Sequence, residues 1–77
     1  MKELINMGHA NAFKGAKLRA LRRERGFSAH YIGVKVLGFE GESAVHHYEN
    51  GKYSPNEENE KKLCEFFGVS KDFFRID

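Results

Sequence analysis

The 77 residues carry 13 Lys or Arg against 11 Asp or Glu, a net charge of +2, and a chain of this length holds one domain with a modest core and no room for a second, ligand-sensing unit. Its single cysteine, Cys64, excludes an internal disulfide. Neither a Cys/His metal cluster of usual spacing nor a nucleophile motif is present, so no metal, cofactor or catalytic residue is expected. No apolar run approaches the roughly eighteen residues of a membrane span, nor does the N-terminus carry the apolar core of a signal peptide, which predicts a soluble, cytoplasmic protein without membrane contact.

The charge is unevenly placed. Residues 1–52 contain nine basic and five acidic side chains, a balance of +4, whereas residues 53–77 come to −2. The front of the chain is therefore the part suited to meet an anionic partner.

Residues 1–11 contain Gly8, two Asn and little apolar periodicity, and are read as an N-terminal arm or irregular extension of a domain spanning 12–77. From Ala12 onward Phe13, Ala16 or Lys17, Leu18 and Leu21 recur at helical spacing, with Gly26 as a left-handed stop. Ser28 then caps a second helix that turns Ile32 and Val36 inward, with Tyr31 as a further candidate for that face. Gly33 costs that helix about 1 kcal/mol relative to Ala and points to the close approach of another helix.

Leu37-Gly38-Phe39 closes the second helix, and Glu40-Gly41-Glu42 leads into a third with Val45 and Tyr48 as its apolar positions and Gly41 as an acceptable cap. Asn50-Gly51 ends it, and a polar connection follows through Lys52 and Tyr53. Ser54-Pro55-Asn56-Glu57 combines a capping Ser, Pro at the first helical position and Glu three residues after the cap, the start of a fourth helix running to Gly68 with Leu63, Cys64 and Phe67 inward. Ser70 caps a last short helix bearing Phe73 and Phe74. The expected fold class is all-α, a compact bundle of about five short helices.

Two helices joined by a tight glycine-containing turn and preceded by a basic helix form the arrangement that lays one helix in a DNA major groove. The stretch Gly15-Ala-Lys-Leu-Arg-Ala-Leu-Arg-Arg-Glu-Arg-Gly-Phe-Ser28, then Tyr48-Glu-Asn-Gly-Lys52, Ser54-Pro55 and Phe67-Gly-Val-Ser70, resembles the lambda-repressor and Cro-type (Xre) helix-turn-helix family over about residues 13–74. Between Ser28 and Glu49 the chain is about two residues longer than the family's usual spacing, a length placed within Leu37 to Glu42.

The resemblance puts base-contacting positions on Glu42, Ser43 and His47. Independently, with Val45 and Tyr48 inward, residues 43, 46, 47 and 50 face away from the core. Ser43 can bond several bases, His47 can donate to guanine or phosphate, and Glu42 can accept only from a cytosine amino group. Glu42 has an equally good structural reading, as a charge complementing the positive helix start. His46 is a surface residue or a backbone contact; adjacent histidines diverge by about 100° on a helix, which argues against a metal site.

The resemblance further implies backbone contacts from Asn50 and Lys52, and from a first-helix arginine such as Arg23. Arg19 and Arg25 read more simply as solvated charge. The family often has Gln at the first position of helix two, where this chain has Ala29, and His30 partly replaces it. Arg22 and Glu49 are expected, again by resemblance, to form a structural ion pair. Glu57 and Glu60 stand where the family has apolar residues, so the first turns of helix four are expected to be exposed. Phe66, Phe73 and Phe74 then belong either to the core or to a homodimer contact.

The function implied is sequence-specific binding of double-stranded DNA by a transcriptional repressor acting through operator occupancy, as a homodimer reading half-sites about one helical turn apart. The alternative is a protein-interaction module that holds a toxin or phage-regulator partner through the acidic fourth helix and aromatic end. An enzyme is not expected, because so small a core leaves little wall for a pocket.

Overall fold

The computed structural model describes residues 12–76, over which the chain is helical with no strand. Helix α1 spans Gly15–Glu24; α2 is a single turn, Ala29–Tyr31, that continues directly as a π-helical segment, Ile32–Val36; α3 spans Ser43–Asn50 and α4 Glu57–Phe67. A 3-10 turn, Phe73–Arg75, closes the fold in place of the expected fifth helix. The arm expected at residues 1–11 lies outside the described residues.

The caps show which side chains stop and start these helices. Ser28 Oγ accepts from Tyr31 N at 3.0 Å, fixing the start of α2. Helix α4 starts later than its Ser-Pro signal suggests. Asn56 is the cap, accepting from Asn59 N at 2.8 Å, while Pro55 is buried ahead of the helix. Asn caps as well as Ser does, and Glu57, Glu58 and Glu60 in the first turn complement the helix dipole. Glu42, not Gly41, precedes α3 as its cap residue. Ser70 bonds to the Asp72 carboxylate at 2.9 Å, and Asp72 takes the cap position of the final turn.

The core gathers two or three residues from each helix: Leu18 and Leu21 from α1, Ala29 and Ile32 from the second helix, Val45 and Tyr48 from α3, Leu63, Cys64 and Phe67 from α4. Phe74 is wholly buried, its ring 5.2 Å from that of Phe13, and is therefore core and not a dimer contact. Phe73 is half-buried beneath the Lys17 ammonium, 4.1 Å above its ring. Tyr31 stands 40% exposed and does not point inward.

The expectation that α4 begins with solvated carboxylates agrees with exposed Glu57 and is corrected at Glu60. Glu60 is buried and accepts from Arg75 Nη2 at 2.7 Å and Nε at 3.1 Å, so an ion pair takes the place of the usual apolar contact. Burial, followed by the charges of Glu60, Asp72 and Glu65, raises the Cys64 thiol above its ordinary range.

The turn between the second and third helices is set by backbone. Leu37 N bonds to Ile32 O at 3.0 Å, an i to i−5 bond, and Phe39 N reaches back to Gly33 O at 2.8 Å. A π turn encloses one residue more than an α turn. The chain therefore has a widened turn inside the second helix, upstream of the Leu37 to Glu42 segment to which the additional length was assigned. Gly33 permits this packing, because a Cβ there would collide with the carbonyl oxygen of Gly41. The close neighbour is the turn itself, where a helix was expected.

Two outcomes follow. Gly33→Ala would stabilise a free helix, yet here it should destabilise by about 2 kcal/mol through overpacking, a fall in Tm of roughly 10 °C in a thermal melt. Cys64, buried and held as the neutral thiol, should react with an aromatic disulfide reagent at pH 8 on the order of 100-fold more slowly than in the urea-unfolded chain.

Candidate nucleic-acid interface

Helix α3 is amphipathic across its short length. Val45, Tyr48 and Glu49 are buried, whereas Ser43, His46 and Asn50 are exposed and His47 is half-buried. The outward set is thus an accessible stripe along one helix face.

Its placement depends on contacts with α1. A Cβ on Gly15 would strike the carbonyl oxygen of Tyr48, so the start of α1 lies directly against the end of α3. Nearby, Arg22 Nε donates to Glu49 Oε2 at 2.6 Å and Nη2 to Oε1 at 3.1 Å, a two-pronged pair with both residues 8% exposed. Arg22 Nη1 also donates to Phe27 O at 2.9 Å. One guanidinium therefore joins the end of α1, the residue before the Ser28 cap of α2 and the last turn of α3. The hydrogen bonds to the Glu49 carboxylate raise the Arg22 pKa, outweighing the opposing effect of burial.

The two histidines of α3 have different environments. His46 Nε2 lies 3.2 Å from Glu42 Oε2, one turn apart, with both side chains about half exposed. Glu42 is therefore engaged locally. Its side chain does not cap α3, whose first backbone donors are left to solvent or to an anion. The His47 ring packs against Tyr53, with centroids 5.1 Å apart, and among the described residues neither of its nitrogens has a hydrogen-bond partner.

Among the positions expected on the DNA backbone, Arg23, His30, Asn50 and Lys52 are exposed and make no side-chain hydrogen bond or ion pair with the described residues. Neither His30 nor Arg23 makes a side-chain hydrogen bond, ion pair or ring contact with the α3 stripe. Arg19 is exposed likewise. Arg25, by contrast, is not simply solvated: it donates to Phe67 O at 3.2 Å, at the end of α4. Lys17 is committed in the same way, donating to Phe73 O at 2.6 Å and Ile76 O at 2.7 Å.

Two features were not foreseen from the residues. Tyr53 was read as part of a polar connection, although an isolated aromatic between Lys52 and Ser54 is itself a signal of packing. The Glu60–Arg75 pair was missed because its partners are fifteen residues apart across a turn.

Glu49→Ala should cost on the order of 3 kcal/mol, since it strands a buried guanidinium, and a urea titration would measure it. Arg22→Met with Glu49→Leu should recover most of that stability, being an apolar replacement of the whole pair. A double variant no more stable than Glu49→Ala would contradict this account of the pair.

A family model described as helix-turn-helix matches residues 18–74, a span that runs from within α1 into the closing 3-10 turn. No curated protein and no solved structure matches the chain. The match covers well over half of the 77 residues and contains the Arg22–Glu49 junction, the π-widened turn and the whole of α3. With its all-helical architecture, the chain belongs to the lambda-repressor/Xre-type helix-turn-helix family.

Proposed function

We propose that the protein is a sequence-specific transcriptional regulator, a repressor that works by occupying its operator in the cytoplasm, and that Ser43 and His47 read bases. The observation that carries this reading is the outward stripe of a short helix whose inner side is locked to α1. Ser43 supplies a hydroxyl near the helix start and His47 supplies uncommitted ring nitrogens, both suited to major-groove edges. Glu42 is assigned a supporting part: its carboxylate is held by His46, and a cytosine amino group is the one base feature it would accept from.

Arg23, His30, His46, Asn50 and Lys52 are assigned to the phosphate backbone, where they position the helix without reading sequence. We further propose a homodimer. Phe66, 37% exposed, lies with Tyr31, 40% exposed, and half-buried Phe27 in one ring cluster, with centroids 4.9 to 6.2 Å apart, so two exposed aromatic side chains stand together on the surface.

That same cluster favours a second reading, a module that holds another protein. The two readings separate in one experiment. Selection from a random duplex library should enrich a motif with two half-sites about one helical turn apart, and Ser43→Ala with His47→Ala should lower affinity for it at least roughly tenfold. Affinity should fall steeply as salt rises. No enrichment, together with a stoichiometric complex lost in Phe66→Glu, would favour the protein-binding module.

A further inference from the structure

We infer that Tyr53 is a positioning residue for base reading: its ring holds the His47 imidazole in one orientation, so sequence discrimination depends on a side chain outside the recognition helix. This rests on the base-reading role proposed for His47.

The geometry runs from core to surface through three rings. Tyr48 is buried, 4% exposed, and its position is set by the core and by Phe13, whose ring centroid lies 6.4 Å away. Tyr53 meets Tyr48 edge-on at 5.7 Å with an interplanar angle of 82°. Tyr53 then meets His47 at 5.1 Å and 53°. Offset and edge-to-face contacts of this kind are favourable and orientation-dependent.

The backbone holds Tyr53 in reach. Gly51 ends α3 in the left-handed conformation at φ 79°, and Lys52 N returns to His47 O at 3.0 Å, folding the connection back beside the last turn. One side of the His47 ring is therefore covered. Its nitrogens remain without partners among the described residues, and the ring is half-buried. A side chain restrained before binding loses less freedom when it meets a base.

His46 provides the contrast on the same helix. It is more open and is tied to Glu42, with no ring packed against it among the described residues. Two adjacent histidines thus have separate restraints, one a contact with a carboxylate and one aromatic. Tyr53 itself is 47% exposed, so replacing it leaves the core intact.

The test uses the full chain, the duplex it selects and a shuffled duplex. Tyr53→Ala should lose roughly three- to tenfold in affinity for the selected duplex, the scale of holding one side chain in a single rotamer, with no change on the shuffled duplex. Discrimination at the base pair read by His47 should fall by the same factor. Tyr53→Phe should retain both, because the ring is what packs. In a His47→Ala background, Tyr53→Ala should have no further effect.

Without DNA, the His47 ring resonances should move toward averaged, random-coil positions in Tyr53→Ala and stay in place in Tyr53→Phe. Equal losses on both duplexes, an additive effect with His47→Ala, or unmoved His47 resonances would overturn the inference while leaving the DNA-reading function intact. Failure of the wild-type chain to select any duplex would overturn that function, and this inference with it.

Discussion

A guanidinium held by two carboxylate oxygens between helix ends fixes the pose of α3. Arg22 and Glu49 are both buried, and an ion pair taken out of water contributes little net stability over apolar side chains of the same volume. What it contributes is direction. Two parallel hydrogen bonds with a third to Phe27 O accept one relative placement of α1, the start of α2 and the end of α3. Greasy contacts such as Leu18 or Val45 could slide by a fraction of a turn without comparable loss; the pair cannot.

Other cations work in the same way elsewhere in the fold. Lys17 and Arg25 bond to carbonyls at the ends of the last segments, and Arg75 neutralises Glu60 within what would otherwise be an apolar contact. The basic charge of the front half is therefore partly structural. Among the described residues, those left for an anionic partner include Arg19, Arg23, Lys35 and Lys52, with the histidines of the second and third helices. The low net charge and a nucleic-acid role are compatible because the surplus is sorted by position and not by number.

Much of this fold is legible in the residues. Ser28, Gly26, Gly51 and Gly68 mark helix limits through backbone rules that hold locally, and Leu18, Leu21, Val45, Tyr48, Leu63 and Phe67 show their inward faces by spacing alone. The Arg22 and Glu49 junction was available only through family resemblance, since nothing local joins residues twenty-seven apart. Illegible were the π-helical segment, which reads as an ordinary run of Ile, Val and Lys, and the burial of Glu60, whose partner lies beyond a turn. Asn56 displaced Ser54 as a cap because both are good acceptors and only the path of the chain chooses between them. At the interface, the outward stripe was readable from period; the unequal surroundings of His46 and His47 were not, because Tyr53 reaches back from outside the helix.

The contact of Gly33 with the carbonyl of Gly41, and of Gly15 with that of Tyr48, is main chain against main chain. No side chain on the outer surface of α3 takes part in either. The buried side that holds α3 and its outward stripe are thus separate parts of one helix, and each can change on its own. Ser43, His47 or Asn50 can be exchanged for residues of other hydrogen-bonding character while the scaffold keeps its angle. Under the base-reading role proposed for this stripe, a lineage built this way acquires new targets by single steps, each leaving the folded state as it was.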